Sequence, residues 1–202
     1  LPLSLWYPMA NTPSAVRGAD YAPFRIAVTG VSAISSGTEK SAGGNSVFEQ
    51  TLNGQPFFVA GAWDRVEGSG NGKGITAFLP KGSTLDEQKQ AEALILLAND
   101  ARTFYAEMFG AASARDMGTG REQKITISPI VPLRLVAVSR GAGFDDGGTV
   151  LISEGAFRRK KVDSVTALGI AEAVARLWIG ADAPVRGEGH GVLREGLVRF
   201  LA

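Results

Sequence analysis

The chain has 202 residues, 45% hydrophobic and 20% charged, which favours one medium domain or a small piece joined to a larger one and excludes wholesale disorder. Lys and Arg number 21 against 20 Asp and Glu, and this net charge of +1 argues against a dedicated binder of nucleic acid or anionic membranes. There is no cysteine, which excludes disulfides, thiolate catalysis and cysteine-ligated metals. His190 is the single histidine, which excludes any site that needs two imidazoles from one copy of the chain.

No segment of the sequence has the pattern of a membrane span or of a signal peptide. The longest apolar run, residues 94–98, is far too short to cross a bilayer. Residues 1–8 lack the basic start and the long apolar core of a signal peptide, and the initial Leu1 indicates a processed protein or an excised piece. The absence of cysteine is compatible with export as well as with the cytoplasm, so the sequence assigns no compartment.

The first third of the chain is predicted to be β structure. Residues 21–29 mix aromatic and β-branched side chains in partial alternation, as is typical of a strand. Residues 46–52 and 55–62 flank Asn53–Gly54, a dipeptide that tolerates the two positive φ angles of a tight turn. These two segments are therefore predicted to form a hairpin.

A long helix is predicted after the first strands. Thr84 and Glu87 stand at capping-box spacing, and apolar residues at helical spacing continue the helix to about Phe109, where Gly110 ends it. Strands followed by strands mixed with long helices predict an α+β fold. The remaining predicted elements are short strands at 75–79, 125–128, 133–139 and 149–152, a loop at 141–148, a helix from Asp163 or Ser164 to Trp178, a loop at 181–191 and a helix at 192–201.

Three segments look like ligand-binding motifs but do not match them. Residues 68–74 (GSGNGKG) lack the first glycine and the final Ser or Thr of a phosphate-binding loop and precede a strand, so they predict a turn. The glycines at 141 and 143 lack the third glycine of a dinucleotide fingerprint. The basic run 158–161 (RRKK) is short and has no aromatic interleaving, which favours a solvated surface over a nucleic-acid patch.

Two stretches in the last third of the chain carry the most specific pattern. Residues 172–180 read EAVARLWIG and residues 192–199 read VLREGLVR. They resemble two signature helices of the aminopeptidase N family of zinc metallopeptidases, one with H-E-x-x-H and a W-F-G ending, the other with N-E-G. In that family the Glu of the second motif is the third zinc ligand and lies nineteen positions after the second His, and Glu195 lies nineteen positions after Arg176.

The resemblance implies that these residues occupy a degenerate zinc site. Glu172 stands in place of the first His, Ala173 in place of the catalytic Glu and Arg176 in place of the second His, while Glu195 keeps a ligand identity. A guanidinium offers no lone pair to a metal, and an alanine side chain cannot accept a proton. We therefore expect no metal, no cofactor and no zinc-dependent peptidase activity.

Other segments extend the resemblance over nearly the whole chain. Residues 135–150 resemble the family's strand and G-x-M-E-N loop, which binds the substrate backbone and its N-terminal amine. The resemblance implies that residues 1–66 end a β-rich N-terminal domain, and that residues 67–202 form the first, sheet-bearing half of a thermolysin-like domain, truncated before its helical half. The five loop positions hold Ala142, Gly143, Phe144, Asp145 and Asp146.

Two arrangements are open for each charged group, one implied by the resemblance and one that needs only the local sequence. Arg176 either lies between Glu172 and Glu195, as a charge-assisted pair across two helices, or forms an ordinary exposed i, i+4 pair with Glu172 worth about 0.2–0.5 kcal/mol. Asp145 and Asp146 either receive an amine or belong to a turn that needs Asp and Gly for backbone reasons.

Three hypotheses for the function follow. The first is a catalytically inactive, aminopeptidase-like domain that binds or scaffolds a peptide or another protein, with a Glu–Arg–Glu cluster at the former zinc site. The second is an active hydrolase with an unorthodox metal centre built from Glu172, His190 and Glu195. The third is a structural part of a larger assembly, in which further domains of the same or a partner chain dock on an apolar surface.

Overall fold

The computed structural model describes residues 22–42, 45–54, 56–110, 132–179 and 190–202. Within these ranges the chain forms three β-sheets and four α-helices, so the predicted α+β class is confirmed. The largest sheet has five strands and carries an apolar layer on each face. No helix in the described ranges is long and apolar enough to cross a membrane.

Two small antiparallel sheets come first. Strand β4 (Asn45–Gly54) lies between β1 (Ala22–Val28) and β3 (Thr38–Ala42). Strand β2 (Ala33–Ile34) pairs with β5 (Val59–Ala60). The first of these strands, β1, confirms the strand predicted at the start of the chain.

The hairpin predicted at Asn53–Gly54 is wrong in the part of the chain that the structure describes. Both residues continue β4, and Gly54 is the register partner of Ala22 in β1. The last residues of β4 thus pair with β1, which comes before it in the chain, whereas the pairing with β3 ends at Glu49. The segment after β4 pairs elsewhere, through Val59 of β5 and Ile34 of β2.

The five-stranded sheet is mixed. Its strands lie in the order β6 (Trp63–Glu67), β7 (Ile75–Pro80), β8 (Leu133–Val138), β10 (Thr149–Ser153) and β9 (Asp145–Asp146). The three inner strands are parallel, whereas each edge strand is antiparallel to its neighbour. The strands predicted to begin at 75, 133 and 149 are confirmed, and the one predicted at 125–128 lies outside the described residues.

The helices of the described fold are α1 (Leu85–Phe109), α2 (Glu154–Phe157), α3 (Ser164–Ala175) and α4 (His190–Leu201). The capping box predicted for α1 is confirmed: Thr84 N donates to Glu87 Oε2 at 2.8 Å, and Glu87 N donates to Thr84 Oγ1 at 3.2 Å. Gly110 follows α1 with a φ of 80°, a backbone conformation that favours glycine. The short helix α2 is absent from the sequence-based prediction.

The last two helices differ from their predicted bounds by a few residues. Asp163 caps α3, because its carboxylate accepts a hydrogen bond from Thr166 N at 3.1 Å. The helix ends at Ala175 rather than Trp178, since a turn follows it. Helix α4 begins at His190, and residues 181–189 of the predicted loop lie outside the described part of the chain.

The side chains of the five-stranded sheet alternate between two apolar layers. The larger layer packs against α1, α3 and α4, and its buried sheet residues include Ile75, Ala77, Leu79, Leu133, Leu135, Val150 and Ile152. On the opposite face, Phe78, Val136 and Val138 pack against Ile34 of β2. The domain boundary expected at residue 66 falls inside β6, which pairs with β7, and the division into two domains stays a prediction.

Candidate functional site

The charged residues singled out from the sequence lie on three neighbouring elements. Glu172 and Arg176 stand one turn apart at the end of α3, where Arg176 is the C-cap residue and its N–H donates to the Glu172 carbonyl at 3.1 Å. Glu195 lies near the middle of α4, and Asp145 lies on the edge strand β9. The Asp163 cap fixes where α3 begins, and helical spacing then places Glu172 and Arg176 on the same face.

The guanidinium of Arg176 lies among three carboxylates. Its Nη1 donates to Asp145 Oδ2 at 2.6 Å, and its Nη2 donates to Glu195 Oε2 at 2.6 Å. The same Nη2 is 3.8 Å from Glu172 Oε2. These contacts join α3, α4 and β9, so the pairing across two helices is present and Glu172–Arg176 is not an isolated exposed pair. We call the four residues the Arg176 cluster.

Two further arginines, which the sequence analysis missed, contact the Arg176 cluster. Arg199 Nε donates to Glu172 Oε1 at 3.2 Å, and Arg194 Nη2 donates to Glu195 Oε1 at 3.0 Å. Three cations therefore face the three carboxylates, and the site has no net charge. Both residues lie within one turn of Glu195 on α4, and that spacing is the signal from which they could have been found.

Burial and the neighbouring charges set the protonation of the cluster. The pKa of Asp145 is raised to about 6, chiefly by burial and also by the charges of Glu195 and Glu172, against the attraction of Arg176. Burial also raises the pKa of Glu195, but the hydrogen bond and the charge of Arg176 outweigh burial and hold this pKa below its ordinary value. Burial lowers the pKa of Arg176, and the Glu195 hydrogen bond and the three carboxylates more than offset this, so the guanidinium stays charged.

Ala173 follows Glu172 in the chain but packs in the core. It is buried in the apolar layer between the five-stranded sheet and the helices. Its methyl group cannot accept a proton from a water molecule. The charged residues described at this site can therefore hold the helices and the strand together. Ala173, which stands where the resemblance implies a catalytic glutamate, cannot act as a base.

The loop at 142–146 is built around its backbone. Ala142 is exposed, and Gly143 has a φ of 90° while its N–H donates to the Leu151 carbonyl at 2.8 Å. The ring of Phe144 packs edge-on against Phe57, with centroids 5.0 Å apart. These contacts hold the loop against β10 and against the segment that leads into β5.

The two acidic residues of this loop have partners within the chain. Asp145 binds Arg176, and Asp146 accepts a hydrogen bond from Ser36 Oγ at 3.1 Å in a buried setting. The contact between Asp145 and Arg176 spans 31 positions and was not predicted, because the resemblance assigned Asp145 to a substrate-binding loop and Arg176 to a degenerate zinc site. That either carboxylate receives an amine stays a prediction.

The alternative metal centre depends on His190. This residue begins α4, and its side chain lies outside the described part of the structure. Among the residues that are described, no group of three or more His, Asp and Glu side chains is placed to hold a metal ion. The centre expected from Glu172, His190 and Glu195 stays a prediction, and both glutamates are bonded to arginines.

Neither the models of known protein families nor the curated proteins match this chain. The resemblance to zinc aminopeptidases therefore stays a prediction that depends on the residues quoted above.

Proposed function

We propose that the chain is a catalytically inactive relative of the aminopeptidase N-type zinc metallopeptidases, with a binding or scaffolding role. In this proposal the guanidinium of Arg176 occupies the place of the zinc ion. The observation that carries it is the pair of 2.6 Å contacts from Arg176 to Asp145 and Glu195, with Glu172 3.8 Å away.

The geometry supports the loss of both chemical steps. Zinc hydrolases need ligands with a free lone pair and a base that takes a proton from the metal-bound water. Arg176 stays protonated and offers no lone pair, and Ala173 offers no base. The mixed sheet with α1 between β7 and β8 supports the expected thermolysin-like half-domain, without by itself identifying that fold.

The Arg176 cluster supports a scaffolding role because it connects separate elements. It ties α4 and the edge strand β9 to the end of α3, and thereby fixes the loop at 142–146 beside the helices. A metal ion at this position would hold the same elements through its ligands. In our proposal Arg176 holds these elements together as a metal ion would, and no residue of the chain carries out peptide hydrolysis.

Zinc content tests this proposal. The purified chain is saturated with zinc, dialysed and measured by elemental analysis, and in parallel incubated with amino-acyl fluorogenic substrates. We expect far less than one zinc per chain and no turnover. One tightly held zinc per chain, or turnover that a chelator and Glu195→Ala both abolish, would contradict the proposal and favour the hydrolase with Glu172, His190 and Glu195.

A second candidate function, part of a larger assembly, is favoured by one observation on α4. The face of this helix that carries Val192, Leu193, Leu197 and Phe200 is exposed, and Phe200 reaches 84%. An amphipathic helix buries one apolar stripe, whereas an apolar stripe left in water marks a contact with another domain or chain. We infer a docking surface for such a domain.

The oligomeric state and the surface of the purified chain test the second candidate. Light scattering after size exclusion, with a hydrophobic dye as a probe of exposed apolar surface, is compared for the chain and for Leu193→Ser/Phe200→Ser. Self-association or dye binding that the double variant loses supports the docking surface. A strictly monomeric chain with no dye binding contradicts it. The variant Val165→Ser, on an exposed position of α3, is the matched control.

A further inference from the structure

Arg134 is a buried cation outside the Arg176 cluster. It lies on β8, an inner strand, and only 6% of the residue is exposed. Its register partners are Thr76 on β7 and Thr149 on β10. Its guanidinium carbon is 5.9 Å from the centre of the Phe48 ring on β4. The side chain therefore lies between the five-stranded sheet and the three-stranded sheet.

One nitrogen of the Arg134 guanidinium has no acceptor among the described residues. This nitrogen, Nη1, is fully buried without a hydrogen-bond partner, and no ion pair of Arg134 is formed in the described part of the chain. The Nη1 of Arg102 is likewise buried without a partner, but there the Nη2 donates to the carbonyls of Asn71 and Lys73 and to Asn99 Oδ1 at 2.9–3.2 Å. A buried guanidinium without such partners is costly, since the interior stabilises a charge only through a counter-charge or hydrogen bonds.

The charges around Arg134 leave it uncompensated. The carboxylate of Glu39 attracts it from β3, where Glu39 is the register partner of Phe48, and Arg65 on β6 repels it. Arg65 is itself stacked on the Phe78 ring, 5.2 Å from its centre. Arg65 is exposed to solvent, whereas Arg134 is buried and makes no ion pair with Glu39 in the described part of the chain.

A second buried donor in the same layer also lacks an acceptor. Gln50 lies two residues after Phe48 on β4, so both side chains point to the same face. Its Nε2 is buried without a partner among the described residues, and it reaches the turn at Gly147, next to β10. Two buried donors in this layer, Arg134 Nη1 and Gln50 Nε2, therefore have no acceptor among the described residues, and an unpartnered buried donor can hold an acceptor from solution.

We propose that Arg134 binds a small inorganic anion of the halide class in the layer between the two sheets. The anion accepts a hydrogen bond from Nη1 and neutralises the positive charge of the Arg134 guanidinium. The Phe48 ring lies beside that guanidinium but carries no negative charge. Binding occurs only in the folded chain, because the unfolded chain does not bring β4 and β8 together. The anion therefore stabilises the packing of the three-stranded sheet on the five-stranded sheet. This inference is independent of the proposed function.

The experiment measures the melting temperature of the whole chain against chloride concentration, with sodium gluconate keeping the ionic strength constant. We expect a saturable rise of about 2–4 °C with chloride and with bromide. Arg134→Met removes this rise and melts no lower than the unaltered chain in gluconate, because it removes an unpaired buried charge. Arg102→Met, the matched control, keeps the rise.

Three outcomes would overturn the inference. Melting temperatures that are equal in both salts exclude a stabilising anion, and a chloride-dependent rise that persists in Arg134→Met places the anion elsewhere. If Arg134→Met does not fold, anomalous diffraction from crystals of the unaltered chain grown in bromide decides. A bromide peak at hydrogen-bond distance from Arg134 supports the inference. A map with no such peak, or with Glu39 bonded to Arg134, contradicts it.

Discussion

Replacing Arg176 by alanine removes the cation around which the site is organised. In the intact chain Arg176 donates hydrogen bonds of 2.6 Å to Asp145 and to Glu195. Without it, the carboxylates of Asp145, Glu172 and Glu195 face one another. The helices and strand β9 lose their shared partner, and like charges remain. We expect Arg176→Ala to destabilise the fold and to do so more strongly at high pH.

The size of the loss follows from the burial of the cluster. Removing one partner of a fully buried ion pair costs about 3–5 kcal/mol, and removing one from an exposed pair costs about 0.2–1 kcal/mol. Arg176 is 23% exposed and Asp145 14%, whereas Glu195 is 47% exposed, so the expected loss is intermediate, about 2–3 kcal/mol. For a chain of 202 residues this lowers the melting temperature by about 4–12 °C.

The pH dependence distinguishes this reasoning from a simple packing defect. The pKa of Asp145 is about 6 in the intact cluster, and without the guanidinium it rises further. At pH 5 the carboxyl is therefore largely protonated and its repulsion with Glu172 and Glu195 is small, so the deficit of Arg176→Ala shrinks. At pH 8 a larger share of Asp145 is deprotonated beside the charged Glu172 and Glu195, so the deficit is larger than at pH 5.

Denaturant unfolding at pH 5 and pH 8 measures both effects. The control is Arg199→Ala, because Arg199 is 78% exposed and contacts only the rim of the cluster at Glu172. We expect less than about 1 kcal/mol from that control at either pH. The reasoning is refuted if Arg176→Ala loses no more than Arg199→Ala, or if its loss is the same at both pH values.

Three further predictions concern single groups. The pKa of Asp145 is raised to about 6 in the folded chain, so folding binds a proton and stability rises as pH falls from about 7 to 4; unfolding of Asp145→Asn shows a flatter profile in this window. Thr84→Ala removes the hydroxyl that caps α1 and lowers the free energy of unfolding by about 1 kcal/mol in a denaturant titration. Gly37→Ala costs several times more than Gly30→Ala, because both have positive φ but only at Gly37 would a Cβ overlap the Glu49 carbonyl; equal melting temperatures would contradict this.

The elements with local signals could be predicted from the sequence. Helix α1 begins where Thr84 and Glu87 predict it, because a capping box is formed by residues three positions apart. The meeting of Arg176 with Glu195 was expected only from the resemblance of their two stretches to the zinc-ligand motifs of a known family, and that resemblance stays a prediction. The inner strands could be located because buried parallel strands are continuous apolar runs.

The features that depend on tertiary structure could not be predicted. The Asn53–Gly54 dipeptide is favourable for a hairpin, but both residues instead extend β4, where Gly54 pairs with Ala22 of β1, and that long-range pairing leaves no local signal. The contact of Asp145 with Arg176 joins an edge strand to a helix end, and no periodicity connects them. The sequence around Arg134, a charged residue inside an apolar strand, does not predict which group lies next to its guanidinium.

The central claim is that a guanidinium occupies the place of a metal ion, and a crystal structure with diffraction data collected at the zinc edge, from protein exposed to excess zinc, tests it most directly. The account predicts continuous density for Arg176 extending to the carboxylates of Asp145 and Glu195, with no anomalous peak among them. A strong anomalous peak at that point, with the Arg176 side chain turned away into solvent, would contradict the account.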